Sequence, residues 1–233
     1  MTYALREPVL HPTPILGLRP TQMTVGMREV EAKRKVWRAF DPKKLRAFLA
    51  SHMVPVILGP RREPYLTDHH HLARALHDNG VKSVFTIVIA DLHQLDVDAF
   101  WTVLDFHAWT HPYDVKGKRR DYEDLPGTVE GLKDDPYRSL AGELRNLGGF
   151  AKNSTPFSEF LWADFLRRRI KGKAIARDYE ASLAHAVELS KTSEANYLPG
   201  WCAPRPISAS KPVDKAARKK VRAARAAVAS AAD

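Results

Sequence analysis

Between Val54 and Ala90 the apolar residues of this chain come in strand-sized runs, and beyond Pro136 they recur only at helical spacing. That change of period rules out an all-helical or all-β fold and predicts an α+β body followed by a helical C-terminal half. Val54-Pro55-Val56-Ile57-Leu58 reads as a strand, Gly59 to Arg62 as a turn, and Pro64 to Thr67 as a second strand running into Asp68. Val84 to Ile89 is the most β-branched run in the chain and is expected to be a strand buried on both faces. Together these strands predict a small mixed β-sheet. Helices are expected over 28–40, from a start at Asp41-Pro42, over 69–78 with a stop at Asn79-Gly80, and over 96–109. The second half reads as helices over 138–146, 156–170 and 177–191. Four prolines within the first twenty residues point to an extended arm. The expected organisation is an arm over 1–17, an α+β domain over 18–112, a helical extension over 113–200 packed on it, and a basic, Ala-rich tail over 201–233.

Composition sets the class of partner. Hydrophobic residues make up 44% and charged residues 27% of 233 residues, enough apolar material for a core without metal or disulfide staples. Cys202 is the single cysteine, so no intramolecular disulfide forms. The formal net charge is +10, and half of it lies in Lys211 to Asp233, where seven Lys/Arg face two aspartates. Such a balance attracts anions without choosing among them. No run approaches the roughly 18 apolar residues of a membrane span. Residues 1–8 lack the order of a secretory signal, so a cytoplasmic location with no membrane partner is expected.

Three clusters carry candidate chemistry. In Thr67-Asp68-His69-His70-His71-Leu72 a strand delivers its residues to a helix start, where unpaired amides attract phosphate or carboxylate. Asp68 is placed to cap that helix. His69, His70 and His71 can donate hydrogen bonds or move protons near neutral pH, although no more than two of three neighbours on a helix reach one ligand. A second cluster, Gln22, Glu29, Glu31 and Lys33, surrounds Gly26, which is read as a tight turn into a helix. The third is Gly148-Gly149 with Lys152, whose backbone amides can converge on an anion, followed by Thr155-Pro156 as the start of the next helix. His107 and His111 stand four apart, a spacing that can hold a metal, but lack a third ligand, and no metal site is assigned.

The order Pro20-Thr21-Gln22, Phe40-Asp41-Pro42, Pro55-Val56-Ile57, Leu66-Thr67-Asp68-His69-His70-His71-Leu72-Ala73-Arg74 and Phe85-Thr86-Ile87-Val88 resembles the ParB/sulfiredoxin superfamily. It looks most like the branch called putative ParB-like nucleases. The resemblance implies a ParB/sulfiredoxin-like fold whose strand-helix box binds nucleotide phosphates. Asp68, His70 and His71 match an Asp-Gly-His-His-Arg box, with His69 in place of glycine and Leu72 in place of arginine. The box holds no cysteine nucleophile, which excludes sulfiredoxin chemistry there. By similarity to related kinases, Glu29 would serve as general base beside His70 and Asp68, with Gln22, His69, His71, Gly148, Gly149 and Lys152 binding the nucleotide.

Three functions follow as expectations. The first is an enzyme that binds ATP or ADP with Mg2+ and transfers a phosphoryl group to a small-molecule acceptor or hydrolyses the nucleotide. The second is a DNA-associated nuclease or partition-type binding protein that uses the basic tail. The third is a non-catalytic domain of the same fold.

Overall fold

The computed structural model of the protein describes residues 12–202. Residues 1–11 of the expected arm and the basic tail beyond Cys202 lie outside the described residues. Of the arm, Pro12–Pro14 is already a strand (β1). The other strands are β2 (Arg19–Pro20), β3 (Thr24–Val25), β4 (Val54–Leu58), β5 (Pro64–Leu66), β6 (Ser83–Asp91) and β7 (Lys133–Asp134). Five form one sheet in the order β1-β6-β4-β5-β2, while β3 and β7 pair separately. Within the larger sheet β4 runs parallel to β6 and antiparallel to β5, so the sheet is mixed, as expected.

Among the described residues there are eight α-helices, seven overlapping the expected spans and one, Gly172–Arg177, not expected. They are α1 (Met27–Arg38), α2 (Pro42–Ser51), α3 (His70–Asp78), α4 (Val97–Phe106), α5 (Pro136–Asn146), α6 (Ser158–Arg167), α7 (Gly172–Arg177) and α8 (Tyr179–Ser190). Asp41, Asp96, Asp135 and Asp178 accept hydrogen bonds from first-turn amides and thereby start α2, α4, α5 and α8. At the end of α3, Gly80 takes a φ of +80°, which a glycine adopts without penalty.

Two expectations about β6 and α4 fail. Ile87, Val88 and Ile89 of β6 are each nearly half exposed, so the strand is not buried on both faces. The register explains it: β1 covers only Ser83 to Phe85, and past that point β6 has a described neighbour on one side only. The helix expected to reach Trp109 stops at Phe106, because Ala108 turns left-handed with a φ of 52°. The Ala108 and Trp109 amides then donate to the Asp105 and Leu104 carbonyls, which closes the helix end. His107 and His111 therefore do not share a helical face. Among the described residues no group of three or more His, Cys, Asp or Glu could hold a metal.

The apolar residues settle into separate cores. One joins Leu18, Val25, Val56, Leu66, Leu76 and Val84 of the sheet and α3, and it includes Val129 and Leu132. The second lies within the helical half, around Leu140, Leu144, Trp162 and Phe165. In sequence these two cores divide between Leu132 and Tyr137, within a single compact unit of the described residues. No described helix is long and apolar enough to cross a membrane.

Gly26 joins the two parts. It does not make a turn, since its φ of −82° is open to any residue. Instead it allows a close approach: a Cβ there would lie 2.7 to 2.9 Å from atoms of Ser139 on α5. Parallel pairing of β3 with β7 holds the same junction, and the Met27 N–H donates to Asp134 Oδ1 at 2.9 Å.

Candidate functional site

Where α1, α3, α5 and α6 come together, the surface opens into a cleft of about 800 Å³, within the usual range of small-molecule sites. It is lined by Gln22, Glu29, Asp68, His69, His70, His71 and Lys152, which brings most of the first two sequence clusters onto one surface. Gly148 and Gly149 are not part of it. Their amides donate to the carbonyls of Arg145 and Leu144 and cap the end of α5, so they have no hydrogens to offer an anion. Of the third cluster, Lys152 and Pro156 reach the cleft.

The histidine box differs from expectation in detail. Asp68 does not cap α3; its Oδ1 accepts from the His69 N–H at 2.6 Å. His69 precedes the helix in the left-handed conformation with a φ of 64°, and no side chain caps the first turn. The amides of His70, His71 and Leu72 therefore begin the helix without a carbonyl four residues back inside it. His70 Nε2 accepts from the Thr21 N–H at 3.2 Å, and His71 Nε2 accepts from the Gly26 N–H at 2.9 Å. A ring nitrogen that accepts from an amide carries no proton, so both rings are neutral and keep their hydrogen on Nδ1.

Electrostatics agree. Burial, with the neighbouring histidines, holds His70 down to about 3. Burial beside Arg138, Lys33 and Arg145 pushes His71 well below the ordinary histidine range. The 3.6 Å separation of His71 Nε2 from Glu29 Oε2 is therefore not an ion pair. Both histidines fasten α3 to the β2–α1 segment, and Nδ1–H is the one polar hydrogen each ring can present. Gln22 is likewise held by its own backbone, its Nε2 donating to the Thr24 carbonyl at 2.8 Å. Glu29 faces the cleft with Lys33 at 3.4 Å.

The most buried of the cations lining the cleft comes from elsewhere. Arg138, in the first turn of α5, is only 8% exposed. One of its nitrogens pairs with Glu159, while Nε and Nη1 are buried and have no hydrogen-bond partner among the described residues. Burial pulls its pKa down from the ordinary value, Glu29, Asp135 and Asp68 oppose the shift, and a guanidinium remains charged throughout. A Cβ built on Gly142 would lie 3.2 Å from Arg138 Nη1 and 3.6 Å from Glu29 Oε2, so both groups lie over a residue with no side chain. His69 adds another orphan, a buried Nδ1 without a partner.

Backbone strain marks the same place. Five non-glycine residues among those described have positive φ, and three of them line the cleft: His69 at 64°, Ala108 at 52° and Phe157 at 54°. Strained conformations of this kind persist where the surroundings hold them, and they gather at functional sites. Phe157 also replaces the expected cap at Thr155-Pro156, because α6 starts two residues later, at Ser158. Trp37, Phe48, Trp109 and Phe160 give the cleft aromatic walls.

A family model described as "Putative ParB-like nuclease" matches residues 11–168. The chain belongs to that family. A solved structure titled "Crystal structure of protein Atu1540 from Agrobacterium tumefaciens" is 48% identical to this ParB-like chain with a TM-score of 0.80, covering 86% of this chain and all of that one. No curated protein matches.

Sequence reading of this ParB-like domain found the box and Glu29 but passed over Arg138 and Arg145. A signal was available: the two arginines are seven residues apart on a helix whose apolar residues are Leu140, Ala141 and Leu144, so they share one flank of the buried face. On α6, Glu159 lines the cleft, whereas Trp162 belongs to the core and Leu161 is nearly half exposed.

Proposed function

We propose that this member of the ParB-like nuclease family binds the phosphates of ATP or ADP with Mg2+ in the cleft, and transfers or hydrolyses a phosphoryl group there. The observation that carries the reading is the pair of unpartnered nitrogens on Arg138, buried in the wall of a cleft that also receives the uncapped start of α3. A buried cation with free donors is costly without an anion, and phosphate oxygens match a guanidinium edge. Arg138 thereby offers the charge that Leu72 withholds from the box. Two carboxylates lining the cleft, Glu29 and Asp68, are oxygen donors of the kind Mg2+ takes alongside phosphate oxygens. A bound Mg2+ would offset phosphate charge. Glu29, held by Lys33, is the group placed to accept a proton from an acceptor hydroxyl or a water. His70 and His71 position the box rather than relay protons, since their Nε2 atoms are occupied by backbone amides.

Calorimetric titration of the whole chain with Mg-ATP and Mg-ADP tests the reading, with phosphate release measured alongside. Glu29→Gln is expected to retain binding and lose release. Absence of binding across adenine and cytidine nucleotides would remove the proposal.

A second reading rests on the family's description and on the cleft's mixture of cations with Trp37 and Trp109, a combination that suits a single-stranded nucleic-acid end. Oligonucleotide binding with a steep salt dependence that survives deletion of residues 211–233 would favour it over the nucleotide reading.

A further inference from the structure

Glu159 holds a position that its chemistry suits poorly to a merely structural carboxylate. It bridges two guanidiniums, Arg138 and Arg145, which project from one flank of α5. It also stands second in α6, a ten-residue helix whose first turn has no side-chain cap. Anions are favoured at such a start by the helix dipole and the free amides. Lys152 lines the same cleft and makes no ion pair with any described residue. Two cations thus hold one carboxylate in a cleft that a third cation also lines, and Arg138 meets it with only part of its guanidinium. The Nε and Nη1 donors remain unpartnered among the described residues; Nη1 and Glu29 Oε2 both lie over Gly142, and the charges of Glu29 and Asp68 act on the guanidinium.

From this arrangement we infer that the cleft contains two adjoining anion subsites sharing Arg138, and that Glu159 occupies the second as a stand-in for a phosphate. The first subsite lies between the α3 start and the free donors of Arg138. The second lies between Arg138, Arg145 and the α6 start. A ligand with two linked phosphates fills both by displacing the Glu159 carboxylate, and a phosphate dianion offers the two arginines more charge and more acceptor oxygens than the carboxylate it replaces. A single phosphate fills only the first subsite and leaves Glu159 in place. The site therefore selects di- and triphosphates over monophosphates, and Arg145 and Glu159 are its specificity-determining residues. The inference rests on the phosphate-binding reading above and adds to it the number of phosphates recognised.

Inorganic phosphate and pyrophosphate are the probes, titrated calorimetrically into the whole chain without nucleotide. Pyrophosphate is expected to bind at least about tenfold more tightly than phosphate. Glu159→Gln keeps the shape of the side chain and removes the competing charge; it should tighten pyrophosphate by about tenfold while changing phosphate by less than about threefold. Arg145→Gln should reduce pyrophosphate to the level of phosphate and leave phosphate itself unchanged, a result that stands independently if Glu159→Gln fails to fold. Phosphate binding with no preference for pyrophosphate would overturn the two-subsite inference alone. So would a Glu159→Gln variant that binds pyrophosphate no better, or an Arg145→Gln variant that weakens both probes equally. If neither probe binds, the phosphate-binding reading falls with it.

Discussion

Replacing Arg138 with methionine should make the protein more stable and less able to bind phosphate. In the free protein this guanidinium is 8% exposed and leaves two nitrogens without partners. Each buried, unsatisfied polar group costs about 1–3 kcal/mol. Against that stands the ion pair to Glu159, yet Glu159 keeps Arg145 as a partner after the change, so no carboxylate is left uncompensated. Methionine has a similar reach and a soft sulfur, and it can preserve the contact with the Phe160 ring, whose centroid is 5.4 Å from the guanidinium carbon. The balance favours the variant by about 1–2 kcal/mol. For a domain of this size that is a rise in Tm of roughly 3–6 °C. Binding moves the other way. Losing hydrogen bonds from a charged donor removes at least about 2 kcal/mol, a weakening of phosphate affinity by roughly 30-fold. Scanning calorimetry and titration with Mg-ADP read the two effects separately. A variant that melts several degrees lower and binds phosphate as before would refute the reasoning, because Arg138 would then be a structural cation rather than one reserved for a ligand.

Ala108 holds the left-handed position that ends α4, where a side chain is strained, so Ala108→Gly should stabilise the fold by about 0.5–1 kcal/mol in urea unfolding; a loss of stability would show that the Cβ contributes packing that outweighs the strain. Acid should unfold the protein steeply. Unfolded histidines take up a proton near pH 6.5, whereas folded His70 resists down to about 3, His111 to about 4 and His71 well below its ordinary value, all chiefly through burial. The unfolded chain therefore binds more protons as pH falls below 6.5, and each group removes about 1.4 kcal/mol of stability per pH unit. Asp135, whose carboxyl is raised by burial, opposes this only weakly as one group against three. Unfolding free energies that stay level from pH 6.5 to 5 would contradict the neutral, amide-bonded histidines.

The elements that sequence made legible are those fixed by local chemistry. Asp41 and Asp96 announce helix starts because a short carboxylate reaches its own first-turn amides. Asn79-Gly80 announces a stop because glycine accepts a positive φ. Pairing at a distance is less legible: nothing near Ile87 to Ile89 says that β1 ends before covering them. The same divide runs through the site. The box lies on one continuous segment and could be read directly, whereas Arg138 faces it from 67 residues away, brought there by the β3–β7 pairing and the contact of Gly26 with Ser139. Gly148-Gly149 misled for the converse reason. Paired glycines serve equally as an anion nest or a helix cap, and the choice depends on which carbonyls lie within reach.

The left-handed residues around the cleft also determine where the molecule gives way first. An unfavourable backbone region costs roughly 1–2 kcal/mol at each of His69, Ala108 and Phe157, an appreciable part of the 5–15 kcal/mol that holds an average domain together. Thermal fluctuations should therefore begin at this rim, as local openings that leave the sheet and the helical half folded. A molecule that docks there and bridges both sides would be gripped by the most yielding part of the protein.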